Sequence, residues 1–246
     1  MNLNYKIIIQ ARTSSTRLKN KLFLKINNHN ILEIMIKRLN KYFKNNIVIC
    51  IGNKKPQKLK LFCKKYNIPY FVGSEKNVLN RYLNCSKKFA IKNIIRIPSD
   101  CPLIDPNIIR KGLAIYKQKK YDYVSNLIPP SYIDGMDVEI FSLKILKKLN
   151  KIKLDKFDQE HVTTYIRKNK KKFITKNFGT SKNYSKLFRL TIDYKNDYLL
   201  ISNIIKNLGI HASYKNIKKY LIKNKNISLL NKKHIKEMWY HDKKFF

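Results

Sequence analysis

The sequence feature that most constrains the fold is a regular alternation of short apolar runs with amphipathic segments. Residues 5–10 form an apolar run of strand length, and a polar stretch follows from Arg12 to Lys21. After it, Ile31, Met35 and Leu39 recur at helical spacing. The same order of strand, loop and helix repeats along the chain. Strands that alternate with helices form mostly parallel sheets, so the sequence predicts an α/β fold with a three-layer, mostly parallel sheet.

The predicted elements follow from apolar period and from helix-capping residues. The predicted strands lie at residues 5–10, 47–51, 70–72, 94–97, 122–125, 136–141, 173–178 and 187–192. The main predicted helices lie at about 78–90, 143–149, 159–168 and 197–208, with another starting near residue 107. The helix start near residue 107 is indicated by Asp105, which suits an N-cap, and by Pro106, which suits the first helical position. Residues 211–246 are expected to form one more basic helix and a polar tail.

The length of the chain and its cysteines narrow the class of protein. No segment of the 246 residues resembles a linker, so we expect a single domain over residues 1–246. No apolar stretch approaches the ~18 residues of a membrane span, and no signal-peptide cleavage pattern is present, so we expect a cytoplasmic protein. The four cysteines lack Cys-x-x-Cys spacing and the histidines do not cluster with them, which argues against disulfides and structural zinc.

The net charge of +39 raises the possibility of a polyanionic partner. However, the lysines are scattered through every segment and accompany many Asn and Ile residues, as compositional bias alone would produce. The chain also lacks the interleaved aromatic and basic residues of RNA-binding modules. We therefore expect no specific nucleic-acid partner, although a non-catalytic, basic nucleic-acid-binding protein stays open as an alternative function.

Glycine spacing removes two common classes of nucleotide-binding enzyme. Only six glycines occur, and none form Gly-x-Gly-x-x-Gly or a Walker loop. The signatures of dinucleotide oxidoreductases and P-loop kinases are therefore absent.

Acidic residues are informative because the chain has only fifteen of them. Asp100 and Asp193 each come directly after a predicted strand, where open α/β sheets hold their ligands. We therefore expect these two carboxylates to meet at one metal ion, a hard cation such as magnesium that prefers oxygen ligands. For Asp105 and Asp197 the sequence is equally compatible with a role at the site and with a structural role in helix capping or ion pairing.

The loop after the first predicted strand combines cations with hydroxyl groups. It carries Arg12, Arg17, Lys19 and Lys21 together with four consecutive Thr and Ser residues. A polyphosphate requires both cations and hydrogen-bond donors, so this loop is a candidate triphosphate site. As exposed loop cations, Arg12 and Lys21 are expected to contribute little to thermal stability.

Seven ordered blocks between residues 5 and 200 resemble one family. The first runs from Ile8 to Leu18, with Lys21 after it, and resembles the opening motif of SpsF-type spore-coat polysaccharide cytidylyltransferases. Those enzymes are related to the CMP-KDO and CMP-acylneuraminate synthetases. The other six blocks lie at residues 73–82, 96–105, 122–126, 134–139, 160–163 and 189–193. The chain departs from the pattern at Lys19-Asn20, where Pro-Gly is usual, and at Ser14, where glycine is often found.

The resemblance implies a nucleotide-diphosphosugar transferase fold of the GT-A-like type, and it implies roles for individual residues. Asp100 and Asp193 would bind Mg²⁺ and, with Arg12 and Lys21, form the catalytic set. The expected nucleotide-binding residues are Arg12, Arg17 and Lys21 at the CTP phosphates, and Ser74 and Arg81 near the nucleotide.

The expected reaction is transfer of CMP from CTP to a hydroxyl of an acidic or nonulosonic sugar, with release of pyrophosphate, for surface polysaccharide synthesis. Residues 134–139 and Glu160-His161 would lie on the acceptor side of the cleft. His161 is a candidate acid or base, with structural packing as the alternative. Relatives suggest a homodimer. A nucleotidyltransferase of the same fold that uses another nucleotide is the alternative within enzymes.

Overall fold

The computed structural model describes residues 4–238, and within this range a seven-stranded sheet forms the centre of the fold. The strands, with a small separate hairpin formed by β2 and β3, are β1 Tyr5–Ala11, β2 Lys25–Ile26, β3 His29–Asn30, β4 Ile47–Gly52, β5 Tyr70–Gly73, β6 Asn93–Pro98, β7 Tyr123–Ser125, β8 Glu139–Ser142 and β9 Thr175–Asn177. The order across the sheet is β5-β4-β1-β6-β8-β7-β9. Only β8 among these seven strands runs antiparallel to its neighbours, so the mostly parallel sheet is confirmed.

Helices connect the strands and cover both faces of the sheet. They are α1 Ile31–Phe43, α2 Gln57–Lys65, α3 Val78–Lys88, α4 Pro106–Tyr116, α5 Leu143–Asn150, α6 Lys156–His161, α7 Thr164–Lys168, α8 Lys195–Leu208, α9 Tyr214–Lys223 and α10 Lys225–Ser228, with 3-10 turns at Lys21–Phe23, Lys170–Lys172 and Lys232–Glu237. Asp105 caps α4, accepting a hydrogen bond from the backbone N–H of Asn107, and Pro106 is its first residue. The helix start predicted there is confirmed.

Alternate residues of the central strand feed two apolar cores, one on each face of the sheet. Ile7 and Ile9 of β1 pack with α1, α4, α8 and α9, while Ile8 packs on the other face with α3 and α5. All three side chains are fully buried. Because side chains alternate between the faces of a strand, one apolar run supplies both cores, and the three-layer architecture follows.

Three predicted elements differ from the structure. Residues 187–192 form no strand and contribute only an isolated bridge between Asp134 and Arg189. The helix predicted at 159–168 is two short helices separated at Val162, whose φ of 65° is outside the helical region. The strand predicted from residue 136 begins at Glu139, because residues 134–138 form a turn around Gly135, with φ of 91°.

The C-terminal part contains the predicted basic helix as α9, and the described part of the predicted polar end packs against the protein. His234 and Met238 are buried, and Asn231 is fully enclosed. The end of the predicted tail, residues 239–246, lies outside the described residues. Between residues 4 and 238 no helix is long and apolar enough to cross a membrane.

Candidate active site

A cavity of about 800 Å³ opens at the carboxyl edge of the parallel strands, within the size range of small-molecule sites. Arg12 follows β1 and Asp100 follows β6, and these strands are neighbours in the sheet. The chain continues from β1 to β4 on one side, whereas β6 lies on the other, so the cavity is at a topological switch point. The predicted site residues that line the cavity are Arg12, Arg17, Lys21, Asp100 and Asp193.

Lys21 lies at the centre of the cavity floor. Its Nζ donates to Asp100 Oδ2 at 3.1 Å, to Asp193 Oδ1 at 3.0 Å and to the Ile192 carbonyl at 2.8 Å. Burial opposes the charge of Lys21, but the two carboxylates outweigh it and raise the pKa of the ammonium. The side chain is only 10% exposed, so the expectation of an exposed loop cation is wrong for Lys21. Asp100 and Asp193 therefore both bind the Lys21 ammonium in this structure. Their binding of a shared metal ion stays a prediction.

Asp193 reaches the cavity through a helix start rather than through a strand end. Asp197, fully buried at the beginning of α8, accepts the backbone N–H groups of Asp193 and Tyr194, each at 2.9 Å. Arg17 and Arg189 bind Asp193 at 2.9 and 2.8 Å. Asp193 is therefore surrounded by cations while its side chain stays 14% exposed.

Arg189 lines the cavity and forms ion pairs with three aspartates. Its Nε donates to Asp197 at 3.2 Å, its Nη2 binds Asp193, and its Nη1 lies 3.8 Å from Asp134. Thr191 donates to Asp134 Oδ2, and the other oxygen, Oδ1, is buried without a hydrogen-bond partner among residues 4–238. Burial raises the pKa of Asp134 to about 6, against the attraction of Arg189.

Glu139 is a second buried carboxylate in the cavity lining. It accepts hydrogen bonds from Arg96, Thr163 and Tyr123. Burial favours the neutral form, but the charges of Arg96 and Arg167 and these hydrogen bonds prevail, so the pKa of Glu139 is lowered. Glu139 therefore remains ionised and holds Arg96 at the cavity wall.

His161 and Asp137 interact electrostatically with Glu139, and Glu160 lines the same cavity. Burial, followed by the charges of nearby arginines, lowers the pKa of His161 to about 4, so its ring is neutral at pH 7. Glu160 lies 3.5 Å from Arg12. Asp137 lines the cavity and makes no hydrogen bond or ion pair with the other described residues. Burial and the charges of Asp134 and Glu139 raise its pKa.

Two side chains of the loop after β1 hydrogen-bond to residues in other loops. Thr13 donates to the Lys54 and Lys55 carbonyls, and Ser14 donates to Glu75. Asn20 adopts left-handed backbone angles, φ 55° and ψ 26°, immediately before Lys21. Asparagine tolerates this conformation better than most residues do, so Asn20 can take the place of the usual glycine.

Comparison with known proteins decides the family. A family model described as cytidylyltransferase matches residues 6–237. The chain belongs to the cytidylyltransferase family. Spore coat polysaccharide biosynthesis protein SpsF of Bacillus subtilis is 31% identical to this cytidylyltransferase over 199 residues, which is 78% of this chain and 82% of SpsF. The predicted resemblance is therefore confirmed.

Solved structures agree with this assignment. A cytidylyltransferase from Leptospira borgpetersenii is 32% identical, with a TM-score of 0.87 over 92% of this chain and 97% of that one. The CMP:2-keto-3-deoxy-manno-octonic acid synthetase complexed with CTP shares the fold, with a TM-score of 0.63, 10% identity and coverage of 82% and 98%. The predicted fold type is confirmed, and the protein is a CTP-dependent nucleotidyltransferase.

Two predicted nucleotide-binding residues of the cytidylyltransferase do not line the cavity. Ser74 accepts the backbone N–H of Asn77 at 2.9 Å, and buried Arg81 donates to the Ser74 carbonyl at 2.7 Å. Ser74 follows β5 and precedes Glu75, which binds Ser14 of the β1 loop, whereas Arg81 lies in α3. They therefore support the loop that borders the cavity, and their contact with nucleotide stays a prediction.

Several cavity residues of this cytidylyltransferase were not predicted as site residues. Arg96 and Arg189 lie in blocks that carry the family resemblance, and that position was the available signal. Glu139 belongs to residues 134–139, which were expected on the acceptor side of the cleft, but it was given no role of its own. The cavity residues Lys236, Glu237 and Met238 lie beyond every block. No sequence pattern pointed to them.

Proposed function

We propose that this cytidylyltransferase transfers CMP from CTP to a hydroxyl of an acidic sugar of the nonulosonic type, releasing pyrophosphate, for surface polysaccharide synthesis. The observation that carries the proposal is one cavity in which the cationic β1 loop faces two converging carboxylates. The hydroxyl oxygen bonds to the α-phosphorus and gives up its proton to water. The bond between the α-phosphorus and the oxygen that bridges to the β-phosphorus breaks, and pyrophosphate leaves. The similarity to SpsF supports the polysaccharide context.

Arg12, Arg17 and Lys21 are the residues we assign to the triphosphate. Arg12 and Arg17 are exposed on the β1 loop and can reach incoming phosphate oxygens, whereas Lys21 is fixed below them. Charge-assisted hydrogen bonds from such groups orient the α-phosphorus and offset charge on departing pyrophosphate. Positioning and charge neutralisation account for most of the catalysis expected here.

The carboxylates of the floor fit a hard divalent cation, which we propose to be Mg²⁺. Asp100 Oδ2 binds Lys21, Oδ1 accepts from the Cys101 thiol at 3.7 Å, and the side chain is 30% exposed. Asp100 would hold the ion, and Asp193 would join it by releasing one of the cations now bound to its oxygens. No group of three or more potential ligand side chains occurs in residues 4–238, so substrate phosphate and water would complete the shell. Such an ion would neutralise phosphate charge.

The part of the cavity around Glu139 suits the acceptor. The Asp137 carboxyl group can hydrogen-bond to sugar hydroxyls, and neutral His161 lines the same cavity. Arg96, which is paired with Glu139, and Arg167 also line the cavity, and they are the cations we assign to the carboxylate of an acidic sugar.

The proposal is tested by pyrophosphate release from each of the four ribonucleoside triphosphates with acidic and neutral sugars. We expect turnover only with CTP and an acidic acceptor, and loss of turnover in Asp100→Asn. Preference for another nucleotide would establish the alternative within enzymes. Turnover with neutral sugars alone would contradict the acceptor class.

A further inference from the structure

Residues 229–238, the C-terminal segment, attach to the elements that hold Asp193. Asn196 at the start of α8 donates to the Leu230 carbonyl at 2.8 Å. Asn231, fully buried, donates to the Arg189 carbonyl at 3.0 Å and to Asp197 Oδ1 at 2.7 Å. The segment is thus bonded to the arginine and to the carboxylate that place Asp193 in the cavity.

The same segment fixes the ring of Tyr194. The imidazole of His234 stacks on this ring with centroids 3.8 Å apart and planes at 4°. The Tyr194 hydroxyl donates to Glu237 Oε2 at 2.5 Å, and Glu237 Oε1 lies 3.0 Å from His234 Nδ1. Stacking sets the plane of the ring, and the hydrogen bond to Glu237 sets the position of the hydroxyl.

Tyr194 in turn contacts Arg17 of the β1 loop. The guanidinium carbon lies 5.1 Å from the ring centroid, and Nη1 donates to the hydroxyl at 3.4 Å. Arg17 Nη2 binds Asp193 at 2.9 Å. Arg17 is otherwise half exposed, so Tyr194 and Asp193 are the groups that hold its head in place.

We propose that the C-terminal segment contributes to nucleotide binding at the active site. Its residues His234 and Glu237 are positioning residues for Arg17 and act through Tyr194. A free arginine loses side-chain entropy when it binds phosphate, and an arginine already held at the cavity loses less. The segment therefore sets the affinity for the triphosphate. This inference rests on the proposed role of Arg17 in CTP binding.

The test is a double-mutant cycle measured as CTP binding by calorimetry, with Mg²⁺ and without acceptor. The proteins are wild type, Arg17→Ala, His234→Ala and the double variant, with His211→Ala, an exposed histidine outside this cavity, as control. We expect His234→Ala to weaken CTP binding roughly threefold to tenfold, and the double variant to bind no more weakly than Arg17→Ala. His234→Phe, which keeps a ring to stack on Tyr194, restores most of the affinity, and His211→Ala is unchanged.

Because His234 is buried, a second variant guards against a folding defect. The Glu237 side chain is 45% exposed, so Glu237→Ala should keep the melting temperature while weakening CTP binding in the same direction. In turnover, both variants raise KM for CTP and leave KM for the acceptor unchanged.

Outcomes separate this inference from the assigned role of Arg17. If Arg17→Ala weakens CTP binding while folded His234→Ala and Glu237→Ala bind normally, the positioning role is refuted and the phosphate role stands. Additive losses in the double variant also refute it. Normal CTP binding by Arg17→Ala refutes both.

Discussion

Replacing Lys21 by methionine tests how much the buried ion pairs of Lys21 with Asp100 and Asp193 stabilise the protein. The substitution keeps an unbranched chain but removes the ammonium that binds Asp100, Asp193 and the Ile192 carbonyl. Removing one partner of a buried ion pair costs ~3–5 kcal/mol. Asp100 is 30% exposed and Asp193 keeps two arginines, so we expect about 3 kcal/mol, the lower end of that range. For a chain of this size that is a fall in Tm of roughly 6–12 °C.

The assay is thermal and urea unfolding of Lys21→Met beside Lys19→Met, which removes an exposed lysine from the same loop. Lys19→Met should change the free energy of unfolding by no more than about 0.5 kcal/mol. The pKa of folded Lys21 lies above its ordinary 10.5, so its stabilisation is complete below pH 10.5 and is lost as pH rises through the raised pKa. The reasoning is refuted if the two variants unfold alike at pH 7.

Three further predictions follow from particular contacts. Asp100→Asn and Asp193→Asn should each lower Mg²⁺-dependent pyrophosphate release ~10²–10³-fold, and the double variant should lose little more, because both serve one ion; additive losses would contradict a shared site. Between pH 6.5 and about 4, His161 is protonated in the unfolded chain but not in the folded protein. On acidification through this range, the free energy of unfolding of wild type should therefore fall by up to about 3 kcal/mol more than that of His161→Gln. Urea unfolding at several pH values measures this difference, and equal losses in the two proteins would contradict the assignment. Gly135→Ala places Cβ 2.7 Å from the Leu190 carbonyl carbon at a φ of 91°, so it should destabilise the protein by about 2 kcal/mol, and an unchanged melting temperature would exclude that contact.

Local sequence signals predict most of the strands of the sheet and the two loops, after β1 and β6, that border the cavity. The apolar run before Arg12 and the run before Asp100 both form strands, and their parallel pairing brings the two following loops together. The Asp105 cap and the Pro106 start of α4 depend only on adjacent residues. These features were predictable because their causes lie within a few residues.

Features that depend on distant partners were not predictable in this way. The burial of Lys21 results from carboxylates 79 and 172 residues further along the chain. Asp193 lies in the cavity as expected, but the strand predicted before it is absent, and its position comes from Arg189 and Asp197. Nothing in the local sequence distinguishes such an arrangement from a strand end.

Backbone conformation and the C-terminal segment were also beyond the sequence patterns. The period of residues 159–168 suits one helix, yet Val162 takes a φ of 65° that valine rarely adopts, and the helix divides beside His161. The packing of His234 on Tyr194 depends on contacts across 40 residues of chain. At position 20, where the family pattern usually has glycine, Asn20 adopts a left-handed backbone conformation.

The most direct test of the central claim is identification of the product by mass spectrometry and ³¹P NMR. Wild type and Asp100→Asn are incubated with CTP, Mg²⁺ and a nine-carbon acidic sugar, with matched neutral sugars alongside. We predict a CMP-sugar and one pyrophosphate per product from wild type with the acidic sugar, and almost none from Asp100→Asn. Equal product from Asp100→Asn, or CMP transfer only to neutral sugars, would contradict this prediction.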